Sequence, residues 1–226
     1  MSSPNGRARL VVASQPSSPA AEAYRQLRTN ILFTSLDRPL RTLLITSTGP
    51  EEGKSTTLAN LAVTLAQAGS RVILADCDLR RPSLHTLFSV SQVPGLTNVL
   101  IGGGDFPLAE TGIEGLQLLP SGPLPPNPAE LVGSLRMSEA MAQLQERADY
   151  VLFDSPPVIA VTDAAILATK VDAVLLVVRA GATKRDLAQR AKAQLDKVNA
   201  RLIGVVLNNA KYDTSLHHYF SADVRT

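Results

Sequence analysis

Residues 41–56 read RTLLITSTGPEEGKST. The run from Arg41 to Thr46 is short and apolar, which predicts a buried strand. Thr48-Gly49-Pro50-Glu51-Glu52-Gly53-Lys54-Ser55-Thr56 reads as a loop running into a helix start. Beyond it Leu58, Leu61, Ala62 and Leu65 recur at helical spacing, and Gly69 closes the run. Strand, Gly-Lys-Ser loop and amphipathic helix together make the setting of a phosphate-binding loop. In such a loop backbone N–H groups and the helix N-terminus surround phosphate oxygens. Lys54 adds a positive charge, and the Ser55 hydroxyl is suited to ligate Mg²⁺. The strict pattern begins with Gly, where this chain has Thr48; the intact Gly53-Lys54-Ser55 in its strand–helix context outweighs that departure. Thr48 through Thr56 are therefore the candidate nucleotide-binding residues.

Two acidic sites lie at the ends of later strands. Asp76-Cys77-Asp78-Leu79-Arg80 follows RVILA, and Asp154 follows Val151-Leu152-Phe153. Ligands of parallel sheets bind outside the carboxyl ends of the strands, so these carboxylates are expected beside the phosphate loop. Asp154 is the expected metal acid. Of Asp76 and Asp78, one helps with the metal and the other orients or deprotonates an attacking hydroxyl. The plainer alternative is that they cap helices or pair with Arg80 and Arg81. For Arg80 the sequence leaves phosphate and Asp78 open as partners. The late strand ends Asn208-Asn209-Ala210-Lys211, not in the Asn-Lys-x-Asp order of a guanine site. Adenine is favoured, with Asn208 as a candidate contact or simply a polar strand exit.

Around this centre the chain alternates strand and helix. Strands are expected at 71–76, 116–119, 150–154, 173–178 and 202–207, with helices at 129–147, 162–168 and 184–198 and short helices within 78–89 and 95–101. The pattern predicts an α/β P-loop NTPase fold, a mostly parallel sheet with helices on both faces. Residues 1–17 are expected to be a flexible arm containing the short apolar patch Leu10-Val11-Val12. Ser18-Pro19 marks a helix start by N-cap and first-turn proline. Residues 18–208 form the ATPase domain, 18–35 being its N-terminal helix, and 209–226 a mobile tail. The 226 residues suit one domain, and its core must be aliphatic, since aromatics are 4% and Trp is absent. A net charge of +2 argues against nucleic acid as a partner. One cysteine, Cys77, excludes a disulfide framework and reads as buried packing. No stretch has the length and apolarity of a membrane span. His217-His218 reads as a solvated pair.

The stretches SPAAEAYRQLRTNI, TSTGPEEGKSTT, ILADCDLRRPSLH, PPNPAEL and VLFDSPPV together resemble the bacterial tyrosine autokinases of capsule and exopolysaccharide synthesis. These belong to the deviant P-loop ATPases, near the septum-site and chromosome-partitioning ATPases. The resemblance runs from Ser18 to about Asn208. It implies ATP and Mg²⁺ as cofactors, with Lys54, Ser55 and Thr56 as nucleotide and metal residues. Lys54, Asp76, Asp78 and Asp154 would be catalytic, and Ser55, Asp76 and Asp154 would bind metal. Glu22, Arg25 and Arg28 match a Glu-x-x-Arg-x-x-Arg motif for ring assembly. At ~100° per residue they share one helix face. A transmembrane activator of the same polysaccharide pathway is the implied partner, with a tyrosine phosphatase as a further candidate. The location implied is cytoplasmic, at the membrane through that partner. Family tails carry a dense tyrosine cluster; here Tyr212 and Tyr219 are the candidate phosphorylation sites. The competing functions are a nucleotide-driven ATPase switch and a non-catalytic scaffold. The switch ATPases carry a Lys five residues before the loop Lys, where this chain has Gly49.

Overall fold

The computed structural model describes residues 10–34 and 40–211. The described elements begin with α1 (Val11–Ser14), α2 (Pro19–Thr34), β1 (Thr42–Ser47), α3 (Lys54–Gln67) and β2 (Val72–Asp76). Next come α4 (Leu84–Phe88), α5 (Leu96–Gly102), β3 (Ala109–Glu110), β4 (Leu116–Leu119), α6 (Pro128–Gly133) and α7 (Leu135–Arg147). The last are β5 (Tyr150–Asp154), α8 (Asp163–Ala168), β6 (Ala173–Arg179), α9 (Arg185–Lys197) and β7 (Leu202–Asn208). The strands form one sheet in the order β3-β4-β2-β5-β1-β6-β7. All neighbours are parallel except β3 with β4.

The sheet is covered on both faces, which is why β1 and β2 read as unbroken apolar runs. Alternate residues of each strand point to opposite faces and enter two separate cores. Leu43 and Ile45 of β1 pack with Leu58, Leu61 and Ala62 of α3. Leu44 packs on the other side with residues of α7, α8 and α9. α3 ends at a left-handed Gly69, φ +89, which lets the backbone turn back after the last helical carbonyls. The N-cap of α2 is Ser18, whose hydroxyl accepts from the Ala21 N–H at 3.2 Å. The register pairs Asp76 with Asp154 and Ile45 with Asp154, so β2 and β5 end level and β1 runs on to Ser47 beside them.

Two expectations need correction, and one element is new. The arm is not loose from Leu10 onward: Leu10 and Val12 are buried at 3% and 0% exposure in the α3-side core. The Val12 N–H donates to Asn60 Oδ1 of α3 at 3.1 Å, so this segment's backbone is satisfied where it is buried. Residues 129–147 are two helices. Ser134 leaves the helical conformation and its hydroxyl accepts from the Met137 N–H at 3.2 Å, starting α7 afresh. The two-residue strand β3 adds an antiparallel edge that no periodicity announced. Residues 1–9, 35–39 and 212–226, with Tyr212, Tyr219, His217 and His218, lie outside the described residues.

Val12→Ala is expected to lower stability by about 1–3 kcal/mol, the usual scale for truncating a fully buried aliphatic side chain. Urea unfolding with an unchanged midpoint would return this segment to a loose arm.

Candidate active site

The phosphate loop spans the gap between β1 and α3 at the carboxyl edge of the sheet. Gly53 is its pivot: φ is +90, and an added Cβ would lie 2.0 Å from Asn208 Nδ2. Only glycine meets both constraints. It is also the N-cap of α3, and no side chain caps that helix start. The first-turn N–H groups are thus directed at whatever enters the loop. A cavity of about 410 Å³ opens here, bounded by the loop, Asp78, Arg81, Leu87 and Pro157.

Lys54 Nζ sits between carboxylates, 2.9 Å from Asp78 Oδ2 and 3.3 Å from Asp154 Oδ1. It is also 3.1 Å from Ser55 Oγ. Burial alone would lower its pKa. Asp154, Asp78 and Asp76 outweigh burial and hold it above the ordinary lysine value. The Ser55 hydroxyl donates to Asp154 Oδ2. Asp154 and Asp76 are both fully buried. Burial, and then the charge of Asp154, push Asp76 up to about 7. Asp154 is also raised, chiefly by burial, against the opposing pull of Lys54 and Ser55. Two such carboxyls side by side favour either a proton or a cation between them.

Asp76 also does what the plainer reading expected. Its Oδ2 accepts the Ser83 and Leu84 N–H groups at 3.0 Å, capping the start of α4. Asp78 Oδ1 accepts the Arg81 N–H at 3.0 Å. Cys77 is buried, its thiol pushed up by burial and by the flanking aspartates, which agrees with a packing role. Arg80 meets neither expected partner. Its guanidinium forks onto Asp163 at 2.9 and 3.0 Å.

Glu52 stands in the loop as expected of a loop residue, and its carboxylate is turned onto that loop. Oε2 accepts the Thr48 and Gly49 N–H groups at 2.7 and 3.1 Å, and Oε1 accepts the Thr48 hydroxyl at 2.5 Å. The Thr183 hydroxyl, from the turn after β6, donates to the same oxygen. Turned outward, this carboxylate would repel phosphate; turned inward, it holds the loop's shape. Asn208 Nδ2 donates to the Glu52 carbonyl at 2.9 Å, so Asn208 stands at the loop and its amide N–H₂ grips the loop backbone. Thr183 and Asp163 carried no signal in the sequence, one a turn residue and the other a first-turn acid. Glu22, Arg25 and Arg28 are not part of this cluster: Arg25 pairs with Glu22 at 2.6 Å, and Arg28 donates to the Thr64 carbonyl at 2.8 Å.

The family model for the CobQ/CobB/MinD/ParA nucleotide binding domain matches residues 43–223. The chain is 43% identical over 204 residues to the tyrosine-protein kinase YwqD of Bacillus subtilis, covering 89% of this chain and 86% of that protein. The chain belongs to the bacterial tyrosine-kinase family. It is 35% identical to the putative tyrosine-protein kinase CapB of Staphylococcus aureus, over 95% of this chain and 96% of that one. Against the tyrosine-protein kinase wzc of Salmonella typhimurium the identity is 35% over 90% of this chain, which spans 28% of that larger protein. Among solved structures, the kinase domain of the Escherichia coli tyrosine kinase ETK superposes with a TM-score of 0.84 at 31% identity, covering 90% and 82% of the two chains. The chimerical protein CapA2B2 gives 0.87 at 37%, with 91% of each covered.

Glu52→Ala and Thr183→Val are both expected to weaken nucleotide binding, Glu52→Ala the more, and Glu52→Ala also to lower the unfolding temperature, because four donors lose their acceptor. A fluorescent-nucleotide titration tests this. Wild-type affinity in Glu52→Ala would show that the loop keeps its shape without that carboxylate.

Proposed function

We propose that this chain is an ATP- and Mg²⁺-dependent protein-tyrosine kinase that phosphorylates tyrosines of its own kind and thereby regulates exopolysaccharide or capsule polymerisation and export. One observation carries the reading: a second buried carboxylate, Asp78, lies 2.9 Å from Lys54 Nζ, beyond the Asp154 that a nucleotide site alone requires.

The donor set suits Mg²⁺. Ser55 Oγ and the buried Asp154 carboxylate are hard oxygen donors already in contact, and Asp76 stands beside them with its pKa raised. Bound there, Mg²⁺ supplies charge neutralisation on the phosphate oxygens. The chain's own groups do the rest. The first-turn N–H groups of α3 and the loop hold the β- and γ-phosphates. Lys54 leaves the carboxylates for the more concentrated charge of the phosphates. That releases Asp78, which is then free to accept the proton of an incoming phenol as its oxygen attacks the γ-phosphorus. The proton passes from tyrosine to Asp78, and ADP leaves with the bridging oxygen.

The acceptor has to come from elsewhere. Tyr24 and Tyr150 are half-buried against the core, and Tyr150 opens β5, whose other end carries Asp154. Tyr212 and Tyr219, or tyrosines of another copy, are the proposed acceptors. Glu22, Arg25 and Arg28 would serve a ring of copies by exchanging their internal partners for a neighbour's. No helix among the described residues is long and apolar enough to cross a membrane. A membrane-spanning activator is proposed to bring the chain there, with a tyrosine phosphatase to reset it.

Incubation with ATP and Mg²⁺ is expected to place phosphate on Tyr212 or Tyr219, read by mass spectrometry, and Lys54→Met to abolish it. ATP hydrolysis without phosphotyrosine, with or without an activator peptide, would move the reading to a nucleotide switch. Replacing Glu22, Arg25 and Arg28 together by Ala is expected to lower the assembly mass in light scattering; an unchanged mass removes the interface.

A further inference from the structure

Asp163 is the first residue of α8, fully buried, with its carboxylate forked by Arg80 at 2.9 and 3.0 Å. This pair joins the two acidic loops of the site. Arg80 lies two residues beyond Asp78 on the loop after β2, and Asp163 begins the helix that follows Asp154 and β5. Stability is a poor reason for such a pair. Burying a carboxylate costs several kcal/mol, and an apolar pair of similar volume is often as stable or more so. What a bidentate fork supplies in its place is direction: it fixes two backbones in distance and angle together.

That constraint has work to do at one moment. Without nucleotide, Asp78 is held by Lys54 at 2.9 Å. Once Lys54 turns to the phosphates, Asp78 keeps only the Arg81 N–H on its far oxygen. The loop carrying it is then anchored by Leu79 in the core, by the Cys77 N–H on the Asp154 carbonyl at 2.9 Å, by Asp76, which accepts the Asp78, Ser83 and Leu84 N–H groups, and by Arg80 on Asp163. Of these, the ion pair is the side-chain link to the segment that follows Asp154 and β5. The geometry points to the Arg80–Asp163 pair as the positioning device that keeps Asp78 aimed at the acceptor after Lys54 has left it. Arg80 and Asp163 are positioning residues: they act through Asp78 and touch neither nucleotide nor acceptor. This inference rests on the kinase reading above for the identity of the acceptor.

The two neighbouring arginines therefore differ in kind. Both are exposed, but Arg81 lines the cavity, whereas Arg80 lies outside its lining and pairs with a buried carboxylate.

The test is Arg80→Gln/Asp163→Asn, a neutral pair of nearly the same shape that strands no buried charge, with Asp163→Asn alone as the second variant. Both are first checked for wild-type circular dichroism and unfolding temperature. The expected result is a kcat for phosphotyrosine formation lowered roughly tenfold to a hundredfold, the scale of misplacing a reacting group, with KM and Kd for Mg·ATP unchanged. Arg80→Lys, which keeps the charge and loses the fork, is expected to fall between. A folded double variant with wild-type kcat overturns the proposal, and so does a loss confined to KM for ATP. If the wild-type chain hydrolyses ATP without making phosphotyrosine, the kinase reading fails by itself. The same kcat comparison on hydrolysis then decides the clamp, because a water attacking beside Asp78 needs the same aim.

Discussion

The structure turns on one ammonium group placed among three buried carboxylates. Lys54 lies within 3.3 Å of Asp78 and Asp154, and Asp76 faces Asp154 across the register of β2 and β5. Left without a counter-charge, buried carboxylates carry a large desolvation cost. Lys54 offsets part of that cost for Asp78 and Asp154, and the Ser83 and Leu84 N–H groups do so for Asp76. The sheet order makes this placement inevitable: with β1 flanked by β5 and the β2 edge one strand further, three strand ends open onto a single loop.

Around that cluster the fold supplies restraint from several directions. Glu52 and Asn208 tie the loop to the β6 and β7 side, while Asp76 anchors the start of α4 on the other. The loop is therefore shaped before any phosphate arrives, which lowers the ordering cost of binding. Each of these polar side chains is buried or half-buried and hydrogen-bonded, in keeping with the rule that such groups are retained only when satisfied.

Much of this was legible beforehand, and the remainder was hidden for identifiable reasons. The strand–loop–helix at 41–67 and the N-cap at Ser18 were readable because backbone preferences and hydrophobic period act locally. So were the aspartates at the strand ends, since topology alone brings such ends together. The packing of Leu10 and Val12 was not readable, because three apolar residues have no period to distinguish a core contact from a loose patch. The break at Ser134 lay inside a run that reads as helix, where a hydroxyl captured a backbone N–H three residues on. The direction of the Glu52 carboxylate was not readable either, because it depends on Thr183, which is remote in sequence and adjacent only after β1 and β6 pair. Arg80 found Asp163 by the same route, through the placement of α8 and not through any spacing.

The close approach of Gly53 to Asn208 carries a consequence for how this sequence can drift. With only 2.0 Å between a hypothetical Cβ at position 53 and the Asn208 amide, position 53 cannot take a side chain while Asn208 keeps its place. A larger residue at 208 would press on the phosphate loop, and any side chain at 53 would displace the amide that grips it. The two sites, far apart in the chain, are therefore expected to show non-additive effects when both are mutated.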